Sequence, residues 1–156
     1  MNTLYDRNID IIAGVDQELA SQISASSIEG IDVSVSKSGL PVPSSAGPDG
    51  KPMLVHSRID PVREAERFAS EVDFSGKDLV VVLGFGFGYH CEAILKAAAD
   101  GVSIIAVDQS AAMVRAAAGN RDLSALFLSG KFFLLIKPDE TSLARVLKGR
   151  SSKNVI

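Results

Sequence analysis

The chain has 156 residues and a net charge of −3, and its 46% apolar and 22% charged residues exclude a wholly disordered protein. Because a protein that neutralises many phosphates is normally basic, this acidic balance argues against nucleic acid as a partner. With one cysteine and two histidines, the sequence allows no internal disulfide and suggests no metal centre.

The N-terminal segment does not resemble a secretory signal peptide, because charged residues interrupt its opening MNTLYDRNIDII. The longest stretch without a charged or polar side chain is 79–87, far shorter than the ~20 residues that a membrane helix needs. We therefore expect a cytoplasmic protein with no membrane partner.

The first third of the chain predicts a helix and a small antiparallel unit. Four apolar residues recur at helical spacing and predict one amphipathic helix before Gly30: Ile12, Val15, Leu19 and Ile23. Apolar and polar residues then alternate over 31–36, as in a half-buried strand. The turn-rich segment 41–51 separates this strand from a short one at 53–55. Residues 31–55 therefore predict an antiparallel hairpin or meander.

The rest of the chain alternates strand and helix patterns. Asp60 and Pro61 predict the start of a helix, as N-cap and first helical residue. Continuous apolar runs then predict parallel strands, and the first run is typical of a strand buried on both faces. The strands are Leu79–Leu83, Val102–Val107 and Phe132–Ile136, and the helices after them cover 89–99, 110–118 and 138–149. Right-handed crossovers give one parallel sheet of order 3-2-1.

These elements define an α/β, Rossmann-like fold that comprises half of a doubly wound parallel sheet. We divide the chain into an N-terminal extension over 1–57 and a Rossmann-like unit over 58–156. Val155 and Ile156 resemble the start of a fourth strand. We therefore expect a chain truncated from a longer protein, with the remainder of that protein as its partner.

A glycine loop joins the first parallel strand to its helix, with Gly84, Gly86 and Gly88 at alternate positions. Glycines let a backbone approach a ligand closely, and the N–H groups of the following helix favour anions. Asp108 ends the next strand, where a carboxylate can accept both hydroxyls of a ribose. His90 begins the helix beside the loop. These five residues predict a nucleotide or nucleotide-sugar site, and a plain strand-to-helix turn is the structural alternative.

The identity of the ligand depends on the spacing within this loop. The dinucleotide fingerprint has a small residue where this chain has Tyr89, which disfavours NAD. The G-x-G-x-G spacing, with Asp108 and a following Ser-x-x-Met, resembles S-adenosylmethionine-dependent methyltransferases. Their motif usually has an acid at the position of Val82 and small or polar residues at those of Phe85 and Phe87. S-adenosylmethionine is therefore the less favoured ligand.

Two further residues lie close before the Asp60 cap. His56 and Arg58 would bind a phosphate or carboxylate of the substrate if their loop folds over the crevice, and solvent exposure or a local ion pair is the alternative. No nucleophile with a partner base can be assembled, so we predict no catalytic residue. We also expect a homodimer through Phe132–Ile136 or the last helix.

Two segments together resemble a known family. Residues 54–68 read LVHSRIDPVREAERF and residues 83–90 read LGFGFGYH. This pairing resembles the N-terminal region of the motility-associated factor (Maf) proteins, which belong with relatives of archaeal hydroxymethylpterin diphosphokinases. The resemblance covers roughly residues 30–150. It implies flagellin glycosylation with nonulosonic acids, in a protein whose transferase chemistry is attributed to a following central domain. This chain would then be a module without the catalytic centre.

Overall fold

A computed structural model of the chain describes residues 3–148, so the predictions for Gly149 and for 153–156 lie outside the described residues. The N-terminal region contains two helices, α1 (Leu4–Val15) and α2 (Gln17–Ala25), where the apolar spacing predicts one. Asp16 divides them, because its extended backbone ends α1 and its side chain accepts a hydrogen bond from the Leu19 N–H at 2.9 Å.

The antiparallel meander predicted over 31–55 is confirmed. It comprises β1 (Ile31–Val35), β2 (Pro41–Ala46) and β3 (Pro52–Leu54), in the order β1-β2-β3. The half-burial predicted for β1 is limited to its first residue, Ile31, since the other four residues are exposed.

The parallel sheet of order 3-2-1 is also confirmed, because its strands pair as β4-β5-β6 and all run parallel. The three strands and the helices around them are α3 (Pro61–Ser70), β4 (Leu79–Leu83), α4 (Tyr89–Ala97), β5 (Ser103–Asp108), α5 (Ala111–Asn120), α6 (Ser124–Phe127), β6 (Phe132–Ile136) and α7 (Glu140–Leu147). Asp60 caps α3 as predicted, by accepting hydrogen bonds from the N–H groups of Val62 and Arg63.

Helices cover the two faces of this sheet unequally. Val80, Ile104 and Phe132 belong to the main core, which also contains buried apolar residues of α1, α2, α3, α4 and α5. The alternate strand residues form a second, smaller cluster, against which Val146 and Leu147 of α7 pack: Leu79, Ile105 and Leu135. Thus α4 and α5 lie on one face and α7 lies on the other.

The prediction that Leu79–Leu83 is buried on both faces is wrong for its second half. Val81 is 37% and Leu83 is 82% exposed, because β4 forms an edge of the sheet and α7 leaves this part of its face uncovered. The sheet's most exposed large apolar side chain therefore lies on β4, whereas the dimer predicted through β6 or α7 stays a prediction. No helix within residues 3–148 is long and apolar enough to cross a membrane.

Candidate functional site

The glycine loop between β4 and α4 follows a path that favours glycine at three positions. Gly84, Gly86 and Gly88 have φ angles of +92°, +56° and +79°, in the left-handed region that L side chains rarely adopt. A Cβ atom on Gly86 would lie 2.6 Å from His56 Nε2, and one on Gly88 would lie 2.8 Å from Phe85 Cζ. Two of the three glycines are therefore required by close packing as well as by backbone conformation.

Asp108 holds the first half of this loop. Its Oδ2 accepts hydrogen bonds from the N–H groups of Phe85 at 2.8 Å and Gly86 at 3.2 Å. Its Oδ1 accepts one from the N–H of Ser110, the N-cap of α5, at 2.8 Å. The side chain is buried. The carboxylate predicted to bind a ribose therefore joins the ends of β4 and β5 and the start of α5.

His56 holds the second half of the loop. Its Nε2 accepts a hydrogen bond from the Phe87 N–H at 3.0 Å. Burial, followed by the charges of His90 and Arg121, lowers the pKa of the imidazole from 6.5 to about 4. The ring is therefore neutral at pH 7, and this hydrogen bond assigns its proton to Nδ1. Nδ1 is buried and has no hydrogen-bond partner among residues 3–148.

Aromatic and cationic side chains surround the loop. The His56 ring stacks on His90 with 5.6 Å between centroids and meets the edge of Tyr89 at 5.0 Å. The Tyr89 hydroxyl donates to the Pro41 carbonyl at 2.8 Å, which attaches the meander to α4. Arg121 lies over the Tyr89 ring, with its Cζ 3.8 Å from the centroid.

Arg121 also fixes the polar contacts at the start of α4. Its guanidinium donates one hydrogen bond to the Phe87 carbonyl and another to the Glu92 carboxylate at 2.7 Å. Both charged side chains are mostly buried, so their attraction is screened less than that of a surface ion pair, and each also carries a desolvation cost. Sequence reasoning misses Arg121, because its position on the loop depends on tertiary contacts rather than on any local motif.

Most of the predicted site residues come together in the structure. Gly84, Gly86, Gly88, Asp108, His56 and His90 form one contiguous group around the loop. Arg58 does not join it, because this residue is exposed and its carbonyl accepts a hydrogen bond from the Lys37 N–H at 2.8 Å. The binding roles predicted for these residues stay predictions.

The segment before α3 belongs to the first of the two resembling segments, residues 54–68. The Ser57 hydroxyl accepts hydrogen bonds from the N–H groups of Ile59 and Asp60, and the Ser57 N–H donates to Glu64 at 2.9 Å. Together with the Asp60 cap, these bonds fix the entry into α3. They therefore set the position from which His56 reaches the loop.

An open groove runs from the loop along the exposed edge of β4. It encloses about 500 Å³ and is lined mainly by apolar side chains, and its lining also includes His56 and His90. Phe68, Phe74 and Leu83 are among its apolar residues. Within residues 3–148, no group of three or more His, Cys, Asp or Glu side chains is placed to hold a metal ion.

Comparison with known proteins gives a likeness of fold. No protein-family model and no curated protein matches the sequence. Among solved structures, the chain is similar to a Maf glycosyltransferase from Magnetospirillum magneticum AMB-1, with a TM-score of 0.64 and 14% sequence identity. The match covers 92% of this chain and 29% of that one. The Rossmann-like fold is thus shared with part of a glycosyltransferase.

The titration of His56 predicts how stability depends on pH. Because the folded-state pKa of about 4 lies below the ordinary 6.5, the unfolded chain binds the extra proton more readily. The contribution of neutral His56 to the free energy of unfolding is therefore complete above pH 6.5 and is lost as the pH falls towards 4. We expect the free energy of unfolding to decrease by about 2–3 kcal/mol over this interval through this group.

Urea denaturation of the wild type and of His56→Gln at pH 7.0, 5.5 and 4.5 measures this effect. The glutamine side chain of this variant cannot titrate, and its oxygen can still accept from the Phe87 N–H. The difference in free energy of unfolding between the two proteins should therefore shrink as the pH falls. A difference that stays constant over this range would show that His56 does not titrate as described.

Proposed function

We propose that this chain is a non-catalytic Rossmann-like module of a Maf-type, flagellin-modifying glycosyltransferase, in which it supports other parts of a longer protein. The likeness of fold supports this, since it spans nearly the whole of this chain but 29% of the glycosyltransferase from Magnetospirillum magneticum AMB-1. The single observation that carries the proposal is that backbone N–H groups of the glycine loop donate hydrogen bonds to the protein's own side chains, Asp108 and His56.

An anion-binding loop needs backbone N–H groups that point at the ligand. Here the N–H groups of Phe85 and Gly86 donate to Asp108, and that of Phe87 donates to His56. The N–H of Gly88 donates to the Phe85 carbonyl at 2.9 Å. The donors at the centre of the loop are thus satisfied internally, and the loop acts as a structural joint between the sheet, the meander and α3.

Within residues 3–148, neither the cysteine nor His56 beside this joint is suited to act as a nucleophile or general base. Burial raises the pKa of the Cys91 thiol to about 12, so that this cysteine is an unreactive core residue. His56 is neutral and accepts from the Phe87 N–H, so its basic nitrogen is already engaged. The transfer of a sugar such as a nonulosonic acid would therefore depend on residues of the longer protein outside this module.

A nucleotide or nucleotide-sugar would need Asp108 or His56 to release the loop before it could bind there. The same requirement applies to S-adenosylmethionine, and Phe85 and Phe87 are both fully buried in the positions where its loop has small residues. Displacing a buried carboxylate from its backbone donors costs the free energy of those charge-assisted hydrogen bonds. We therefore expect this module to bind neither ligand.

Titration calorimetry with cytidine mono- and diphosphate and with S-adenosylhomocysteine tests this expectation. We expect no saturable heat from any of the three at ligand concentrations up to the millimolar range. Micromolar binding of a cytidine nucleotide, retained in Asp49→Ala and lost in His90→Ala, would overturn the structural role of the loop. Micromolar binding of S-adenosylhomocysteine would instead favour a methyltransferase-like module.

A transferase assay tests the dependence on a longer protein. With a nucleotide-activated nonulosonic acid and unmodified flagellin, the protein expressed from the full native reading frame should transfer sugar, whereas residues 1–156 alone should not. Turnover by residues 1–156 alone would refute the non-catalytic assignment. Inactivity of the full protein with flagellin would refute the proposed substrate while leaving the calorimetric result interpretable.

A further inference from the structure

We propose that two copies of the protein pair through the open edge of β1, so that their two meanders join into one continuous antiparallel sheet. The pairing is centred on Val33, which lies opposite Val33 of the second copy. Three observations carry this inference: the unpaired backbone groups of β1, its exposed apolar side chains, and the fit of its sequence to an identical strand.

The backbone groups of β1 on the side away from β2 are unpaired. In the ladder between the two strands, Val33 lies opposite Pro43 and Val35 lies opposite Pro41. The Pro43 carbonyl accepts from the Val55 N–H on the β3 side, and proline has no N–H. The N–H and C=O groups of Val33 and Val35 therefore point to the open edge. In the described part of the chain, these two N–H groups have no acceptor there.

The open edge is bounded at both ends. Before β1, the chain turns at Gly30, whose φ is +81°, and the Ile31 N–H donates to the Ile28 carbonyl at 3.1 Å. After β1, Arg58 lies beside the edge, since its carbonyl accepts from the Lys37 N–H at 2.8 Å. The free edge is therefore β1 itself, five residues long.

The side chains of β1 are more exposed than its sequence pattern predicts. Apolar and polar residues alternate as in a half-buried strand, yet Val35 is 74% and Val33 is 41% exposed. Both share a face of the meander with Met53 of β3, which is also exposed. The strand contains no lysine or proline that would protect its edge. A free edge with an uncovered apolar face favours pairing with another strand.

The sequence of β1 suits an identical strand as that partner. In an antiparallel pair centred on Val33, the Val33 N–H of each copy donates to the Val33 carbonyl of the other. The Val35 N–H of each copy donates to the Ile31 carbonyl of the other, so both free N–H groups of each edge are used. Two edges of equal length overlap completely only in this register. Val33 then packs on Val33, and Val35 packs on Ile31 of the second copy.

The single charge of β1 is compatible with this register. Asp32 lies opposite Ser34 of the second copy, in a pair without mutual backbone hydrogen bonds, where side chains are closest. The Ser34 hydroxyl, which donates to the Val42 carbonyl at 3.3 Å within one chain, can donate to this carboxylate instead. The two Asp32 side chains are diagonal neighbours about 7–8 Å apart, where dissolved salt weakens their repulsion.

Sedimentation velocity of the protein expressed from its full native reading frame, at about 1 μM to about 1 mM, tests for this dimer. Because five residues per copy form a small interface, dimerisation should be reversible and increase with concentration. Val33→Pro removes the two central hydrogen bonds at an edge position that tolerates proline, and should raise the dissociation constant at least about tenfold. A monomeric wild type, or a dimer that Val33→Pro leaves unchanged, as expected for an interface at β6 or α7, would overturn the proposal.

Charge substitutions at Ser34 test the register without removing a backbone donor. Ser34→Lys places a cation opposite Asp32 of the second copy, and Ser34→Asp places a like charge there. We expect the dissociation constant to fall at least about threefold in the first variant and to rise at least about threefold in the second. The same two substitutions at Ser75, an exposed residue outside the meander, control for the change in net charge and should give equal constants. Equal constants for the two Ser34 variants would contradict the proposed register.

Single cysteines distinguish this pairing from chance contact. The Cα atoms of the two Val33 residues would lie about 5.5 Å apart, within the range of a disulfide, and those of the two Val35 residues about 14 Å apart. Under mild oxidation, Val33→Cys should therefore cross-link at least about tenfold faster than Val35→Cys, although Val35 is the more exposed residue. Cys91 is buried, and the wild type provides the blank. Equal rates, or faster cross-linking of Val35→Cys, would overturn the proposal.

Discussion

Replacing Asp108 with alanine is expected to lower the free energy of unfolding by about 3–5 kcal/mol. The buried carboxylate accepts hydrogen bonds from the N–H groups of Phe85, Gly86 and Ser110. Without it, these donors lose a charged acceptor in a region with little access to water, and each unsatisfied group costs about 1–3 kcal/mol. Partial entry of water into the vacated space keeps the total below the sum of the separate costs.

Urea denaturation followed by circular dichroism measures this change, with two variants for comparison. Asp49 also accepts a backbone hydrogen bond, from Lys51, but its side chain is exposed, so Asp49→Ala should cost less than about 0.5 kcal/mol. Asp108→Asn keeps one acceptor oxygen, so its loss of free energy of unfolding should lie between those of Asp108→Ala and Asp49→Ala. A loss below about 1 kcal/mol in Asp108→Ala would show that the loop does not depend on this carboxylate.

The strands and their order follow from the sequence because buried parallel strands leave a strong local signal. The runs Leu79–Leu83 and Phe132–Ile136 are predicted with the bounds that the structure shows. The exposure of Val81 and Leu83 cannot be predicted in this way, because a continuous apolar run does not show whether another element covers its second face. The division of the first helix is missed because the apolar spacing continues across Asp16, although an aspartate before a helical segment is itself a capping signal.

The assembly of the site is predictable in part for a geometric reason. Asp108 and the glycine loop follow neighbouring parallel strands, whose carboxyl ends meet at one edge of the sheet. Their mutual hydrogen bonds are not predictable, since the same two features are compatible with a bound nucleotide between them. The approach of His56 and Arg121 depends on how the meander and α5 pack against the loop, which no local spacing encodes.

Gly86→Ala should destabilise the fold by about 2–5 kcal/mol, for two separable reasons. The backbone φ of +56° costs an alanine about 1–2 kcal/mol. The new Cβ would also lie 2.6 Å from His56 Nε2 and 2.8 Å from Val55 Cγ1, so that the meander would have to move away from the loop. That movement weakens the Phe87–His56 hydrogen bond, which joins the segment between β3 and α3 to the loop.

Gly84→Ala is the matched control, because Gly84 also has a positive φ but a Cβ there would meet no atom within 4 Å. Gly84→Ala should therefore lower the free energy of unfolding only through the unfavourable positive φ, by about 1–2 kcal/mol. Combining Gly86→Ala with His56→Ala removes the closest obstacle, so the added cost of the glycine substitution should fall by at least about 1 kcal/mol. Equal costs at the two glycines, or additivity of the double variant, would show that His56 does not pack into the loop. The second half of the loop would then be free to open, and the proposal of a closed structural joint would rest on Asp108 alone.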